Sequence, residues 1–438
     1  GLDQLIENGG IIYRAVSSRP WPGTASLEVA YIWLRQGEWQ GEFILDEKPV
    51  AGITPYLTVP NKIQGNPYRL VANQNKSFQG SNVLGMGFVL TPEEAAALIA
   101  KNPCNQDVLF PYLNGEDLNT NPDQSPSRWV INFFDWPLDA EHDDGKKGPP
   151  YASDYPDCLK IVEEKVKPER EKLTSEISTQ RRRATLWWQY GQFAPALYQT
   201  IAECDRVLFH AFTSKYVCFA FAPTGIVYGA PHVVIALSKY KDFAVLQSSI
   251  YDAWVFVNCS THETRLRYAP SDLFETFPFP STINNSSKNP QNQPTNLNIQ
   301  TKLEQIGEKY YTHRQNIMLT RQQGLTKTYN RFHDPQETAT DIEILQKLHQ
   351  EMDNMVLAAY GWTDIDLNHN FYQTKQGLRY TISEPARREI LDRLLQLNHQ
   401  RYAEEVQQGL HEKGNKKGKN SSKKKPKIAD NNGQFNLF

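Results

Sequence analysis

Short apolar runs separated by turn residues dominate the first two thirds of this chain, and helical stripes dominate the rest. Ile11, Ile12 and Tyr13 follow Gly9-Gly10. The turn Pro20-Trp21-Pro22-Gly23 then opens an aromatic-rich run over 27–34 that suits a buried strand. The segment FILDEKPVAGITPYL reads as a hairpin leading out of this unit. Two or three strands are too few to stand with their faces uncovered. Residues 1–58 are therefore expected to be the last strands of a larger α/β domain.

From 59 to 280 the pattern changes. Apolar runs such as SRWVINFFDWP alternate with Asn, Gly and Pro turns, and DRVLFHAFTSKYVCFAFAPTGIVYGAPHVVIAL spells successive strands. A helix is expected over 158–183. The expectation is a mixed α+β domain with twisted antiparallel sheets. Residues 281–299, STINNSSKNPQNQPTNLNI, have the composition of a linker. Residues 300–410 are then expected to be helical. Over 341–360, Leu345, Leu348, Met352, Met355, Val356 and Ala359 form a stripe, and Gly361 stands where a C-terminal cap belongs. Ser383 is the expected N-cap of a last helix, with Pro385 in its first turn and Leu391, Leu394, Leu395 and Tyr402 on its buried face. Residues 411–438 are Lys-, Gly-, Ser- and Asn-rich and are expected to be disordered.

Composition narrows the class. The 438 residues, 39% hydrophobic, suit a globular chain of about three domains. No apolar run is long enough for a membrane span, and the first residues lack the pattern of a secretory signal. The initial Gly suggests a fragment. Five scattered cysteines without a C-x-x-C pair point to a reducing cytoplasm rather than to disulfides or zinc. The net charge of −2 hides an asymmetry: the basic tail stands on a more acidic body, so an anionic partner is met by local patches.

Several constellations bear on chemistry. No phosphate-binding glycine motif occurs, since Gly85-Met86-Gly87 lacks its third glycine, and no Ser/His/Asp spacing stands out. Glu163-Glu164-Lys165, with Asp157 upstream, has the E-x-K form of a metal-dependent nuclease but lies in a helical pattern. Arg181, Arg182 and Arg183 precede Trp187, Trp188 and Tyr190, a basic and aromatic pairing suited to nucleic acid; a solvated helix end running into core aromatics has the same signature. Thr213, Ser214 and Lys215 lie between two apolar strands, where short polar side chains and a cation reach base edges. Arg265 and Arg267 alternate, so a strand there points both to one face, for phosphates or for solvent. The C-terminal QFNLF, with Gln434, Leu437 and Phe438, resembles the bacterial sliding-clamp-binding peptide Q-L-x-L-F, with Phe435 in place of Leu.

Taken in order, SFQGSNVLGMGFVL, PYLNGEDLN, SRWVINFFDWP, VKPER, RLRYAPSDLFETFPFP, LHQEMDNMVLAAYGWTDIDL and RLLQLNHQRYAEE resemble the C-terminal half of long-chain, adenine-specific DNA methyltransferases. These belong to type IIG-like (MmeI-like) restriction–modification and phage-defence systems of bacteria. The resemblance implies a target-recognition domain and a helical region that bind double-stranded DNA in the cytoplasm, at the nucleoid. It also implies S-adenosylmethionine as methyl donor in the intact enzyme. The family's donor loop and Asn-Pro-Pro-Tyr/Phe motif do not occur here, so this chain alone is expected to be inactive and to bind no donor. Within the resemblance, Thr213, Ser214 and Lys215 would read bases. Arg181, Arg182, Arg183, Arg265 and Arg267 would hold phosphates. Trp21 would wall the flipped base, while Trp33 is assigned to core packing. The competing readings are a separate non-catalytic specificity subunit and a clamp-tethered DNA-binding protein.

Overall fold

A computed structural model of the chain describes residues 2–23, 28–55, 57, 59, 65–143, 147–174, 176–262, 265–282 and 293–411. Near the N-terminus, β1 (Gly10–Pro20) pairs antiparallel with β2 (Glu28–Gln36) and parallel with β3 (Phe43–Leu45). β3 turns back into β4 (Lys48–Val50), giving the order β2-β1-β3-β4. The turn residues Asp46 and Glu47 both have positive φ, 49° and 62°, the conformation that matches the twist of a two-residue hairpin. Asp46 is held there by the Ser17 backbone N–H at 2.7 Å and the Ser17 hydroxyl at 2.8 Å.

Ile12, Ala15, Leu45, Ile53 and Leu57 form the small core of this sheet. The run expected to be a buried strand is β2, and it is an edge strand. Tyr31, Trp33 and Leu34 are 39%, 39% and 41% exposed. An edge strand is paired on one side only, so apolar content identified the strand but not its cover. Trp33 is accordingly not a core residue, and the Arg14 guanidinium lies over its ring at 5.2 Å.

The stretch from 65 to 282 holds β5 (Ser77–Gln79), β6 (Val89–Leu90), β7 (Leu109–Leu113), β8 (Arg128–Ile131), β9 (Arg206–His210), β10 (Thr213–Ser214), β11 (Ala220–Pro223), β12 (Val227–Tyr228), β13 (Val233–Ile235), β14 (Ser260–His262) and β15 (Arg265–Arg267). They build three sheets, ordered β11-β9-β13-β5, β12-β7-β8-β6 and β10-β15-β14. All pairs are antiparallel except β12 with β7. This is the expected mixed α/β architecture.

The helix expected over 158–183 is three pieces, Pro156–Lys165, Lys167–Arg170 and Ser178–Thr185. Pro168 explains the first break, since it has no N–H to donate to the carbonyl one turn back and so cannot continue the hydrogen-bond ladder.

Helices Gln293–Arg321, Leu325–Phe332, Thr340–Tyr360 and Glu384–Gln407 make up most of the remainder. The first begins at Gln293, inside the stretch read as linker. It packs on the helix Tyr240–Gln247, so one hydrophobic core runs from Phe209 and Val234 of the sheet through Phe243 to Leu303, Tyr310 and Met318. Gly361 ends its helix at φ 76°, and the Ser383 hydroxyl accepts the Ala386 N–H, both as expected.

A hairpin, β16 (Asn370–Thr374) and β17 (Gly377–Thr381), interrupts the expected helical region. The last helix returns to residues 68–72. Asn398 accepts the Tyr68 N–H, Glu405 accepts the N–H groups of Val71 and Ala72, and Tyr402 stacks on Tyr68 at 4.2 Å. No helix among the described residues is long and apolar enough to cross a membrane. The lysine-rich tail and the peptide with Gln434, Leu437 and Phe438 lie outside the described residues.

Candidate nucleic-acid interface

The sheet β10-β15-β14 unites residues that are some fifty positions apart in sequence. Thr213 pairs with Arg267 on one side of β15, and Ser260 pairs with Arg267 on the other. Strand alternation sends Leu266 inward, 2% exposed, and leaves Arg265 and Arg267 exposed on one face, as the alternation predicts. Thr213 and Ser260 are exposed beside them. The Arg267 guanidinium lies 5.2 Å from the Phe212 ring.

The same alternation removes Ser214 from the base-reading set. It points inward, 6% exposed, and its hydroxyl donates to the Tyr216 carbonyl at 2.8 Å. Lys215 is exposed, and its ammonium donates to Asn330 Oδ1 at 2.7 Å. Asn330 Oδ1 also accepts the Tyr216 hydroxyl at 2.7 Å. The Tyr216 ring stacks on His333 at 5.1 Å and takes the Arg379 guanidinium at 4.7 Å. Burial drives the His333 imidazole well below its usual pKa, so it stacks as a neutral ring. Asn330 and Arg379 are therefore neighbours of the site that sequence reasoning missed. They come from the helix Leu325–Phe332 and from β17, and no local pattern links either to residue 215.

Arg181, Arg182 and Arg183 sit on the helix Ser178–Thr185, the first two exposed and the third half-buried. Arg182 donates to the Gly191 carbonyl at 3.2 Å and to Gln189 Oε1 at 3.3 Å. The aromatics that follow do not offer a stacking platform: Trp187, Trp188 and Tyr190 are 9%, 3% and 2% exposed and belong to a core. Beneath them Arg170, of the VKPER motif, is buried among neutral acceptors. It donates to the carbonyls of Val83, Leu84, Leu186, Trp187 and Gln189. Burial, and then Arg183 and Arg182, lower its pKa to about 10, so it is still charged at neutral pH.

Trp21 is 46% exposed in the turn after β1. The nuclease-like residues do not converge. Glu163 pairs with Lys167 at 2.8 Å, Asp157 pairs with Lys101 at 2.6 Å, and no metal-ligating cluster occurs among the described residues.

One Ser/His/Asp group exists that spacing did not reveal. Ser249 Oγ lies 3.0 Å from His349 Nε2, and Asp353 is nearby. It is not a nucleophilic triad. Asp353 accepts the Ser249 N–H at 2.8 Å and binds His369 Nε2 at 2.7 Å, while His349 Nδ1 has no partner. Burial pushes the Asp353 carboxyl up, but His349, His369 and Ser249 together outweigh it and hold it below its usual value. The group is a fully enclosed polar tie between helices.

The geometry can be set beside known proteins. Residues 69–281 match the family model described as MmeI, target recognition domain. Among solved structures, the type IIL restriction-modification enzyme MmeI in complex with DNA is similar, with TM-score 0.63 at 17% identity. That similarity covers 91% of this chain and 47% of the other, so the chain spans about half the length of that enzyme. No curated protein matches. Over residues 69–281 the resemblance read from the motifs is thus matched by the family model: this stretch is similar to the MmeI target recognition domain.

Proposed function

We propose that this chain is the DNA-reading part of a site-specific, adenine-specific restriction–modification methyltransferase. It grips duplex DNA and selects the sequence at which methyl transfer occurs. Arg265, Arg267, Arg181, Arg182 and Arg183 hold phosphates and fix register. Thr213 and Lys215 reach base edges; Ser214 has no part in this. The single observation that carries the reading is the β10-β15-β14 face, where Thr213, Arg265 and Arg267 stand exposed together inside the matched region. The DNA in the MmeI structure supports the choice of ligand.

In this reading β1 to β4 are the last strands of a Rossmann-like methyltransferase domain, and Trp21 is the wall beside an extruded base. The described part of that sheet does not fit S-adenosylmethionine. β3, the strand parallel to β1, runs into a two-residue turn rather than a glycine loop and helix. Both carboxylates there are engaged, Asp46 by Ser17 and Glu47 by Arg14 at 2.9 Å. Methyl transfer is therefore assigned to residues outside this chain.

A salt titration of duplex binding, run beside a methyl-transfer assay with labelled donor, tests the proposal. Binding without transfer is expected. Arg265→Ala with Arg267→Ala should weaken binding to all duplexes alike and reduce the salt slope by roughly 0.9 for each phosphate that is no longer neutralised. Transfer by this chain alone would refute the division of labour, and absence of duplex binding would refute the reading itself.

A further inference from the structure

Among the described residues, Met86 is a large apolar side chain left 73% exposed, and Leu84, two positions earlier, is 47% exposed. They form the tip of the loop in SFQGSNVLGMGFVL, and that loop is rigidly built. Leu84 has a positive φ of 47°, a strained conformation for a non-glycine residue. The buried Arg170 holds the carbonyls on either side, Val83 at 3.2 Å and Leu84 at 3.0 Å. Asn82 and Gln192 exchange backbone hydrogen bonds at 2.8 and 3.0 Å. A side chain at Gly87 would strike Lys165 and Val166, so the loop is seated directly on the helix end. Strain and a buried cation thus hold two apolar side chains out into solvent, the opposite of what folding alone favours.

One flank of the tip is cationic. On one side, the Leu84 side chain packs on Gly191, whose carbonyl accepts from Arg182 in the run of three arginines. On the other, the tip borders a cleft of about 440 Å³ lined by Tyr112, Glu116, Arg128 and His232 among others, with Arg128 paired to Glu116 at 2.8 Å and burial holding His232 neutral. His232 contacts the Phe212 N–H at 3.3 Å, and Phe212 carries Arg267 on its ring. The apolar tip therefore stands beside the run Arg181, Arg182 and Arg183, one of the two arginine groups assigned to phosphates. A polypeptide partner would account for the apolar tip but not for the run of three arginines beside it. A duplex accounts for both, because its stacked bases are apolar and its edges are phosphate.

We propose that Leu84 and Met86 form a wedge that enters a base step of the bound duplex and unstacks it, while the flanking arginines hold the adjacent phosphates. This rests on the DNA-reading assignment. The test starts with duplexes recovered by the wild-type chain from a randomised pool, then resynthesised with 2-aminopurine at each position in turn. Bound wild-type protein should raise the fluorescence at one step. Met86→Ala should abolish that rise and weaken binding about tenfold, with an unchanged salt slope, and Met86→Leu should restore both. Met86 is so exposed that neither substitution threatens folding. Recovered duplexes without any unstacking, or an unaltered rise and affinity in Met86→Ala, would overturn the wedge while leaving the DNA-reading assignment standing. Recovery of no duplex would remove that assignment, and the wedge with it.

Discussion

Two arginines organise the interior residue by residue. Arg170 and Arg314 are 3% and 1% exposed, and each donates to neutral acceptors. Arg314 donates to Gln247 Oε1, the Tyr329 hydroxyl and the Phe219 carbonyl, among the rings of Phe243, Tyr310 and Tyr311. It ties the helix Gln293–Arg321 to the recognition sheet. Arg314→Met leaves buried acceptors unpaired and should cost about 3 kcal/mol in urea denaturation. Arg314→Lys should recover little of it, because an ammonium lacks the planar fork that reaches three acceptors.

His210 gives a second residue-scale prediction. It is fully enclosed, hydrogen-bonded to the Cys218 carbonyl at 2.8 Å, and burial lowers its pKa to about 4. The unfolded chain takes up its proton near pH 6.5, so the neutral ring's contribution is present above that pH and lost as pH falls. Between pH 7.5 and pH 5 the stability difference between wild type and His210→Phe should shift by about 2 kcal/mol in the variant's favour. A constant difference would mean that His210 charges freely in the fold.

Elements divide sharply by how local their signals are. The helix ends at Gly361 and Ser383 were legible because caps are written in two or three adjacent residues. Ser383→Ala should accordingly cost about 1 kcal/mol in the same denaturation assay. The single face shared by Arg265 and Arg267 was legible from their alternation, once that stretch is a strand. Hidden from sequence were facts of assembly: that β10 lies beside β15, that Ser214 turns inward, and that β2 stands at an edge. The hairpin β16–β17 escaped because NFYQT and GLRYT are short, and of their residues only Tyr380 and Thr381 are buried. It matters to the site nonetheless. Arg379 braces Tyr216, whose hydroxyl shares Asn330 with Lys215. Arg379→Ala should weaken duplex binding severalfold with unchanged circular dichroism, since Arg379 itself is only half-buried.

At the scale of the molecule the composition break at 281–299 suggested a boundary, but the hydrophobic core passes across it. Phe243 and Tyr310 lie in one cluster with Val356 and Leu394. Residues 65–282 and 293–411 should therefore unfold in a single transition, with tryptophan fluorescence and far-ultraviolet dichroism changing together. The N-terminal sheet has its own core of a few side chains. Its amides in β1 should exchange with solvent well before those of β9.

The stacking of Tyr68 on Tyr402, with Asn398 and Glu405 reaching back to residues 68–72, brings the two ends of the 65–411 unit side by side. A unit whose entry and exit are adjacent can be lifted out and joined elsewhere at one seam, without threading a chain across the host. The last helix is thus the clasp of a portable cassette. An exchange of this unit between chains of the same build should succeed when the clasp travels with the sheet, and fail when the seam is placed at residue 281.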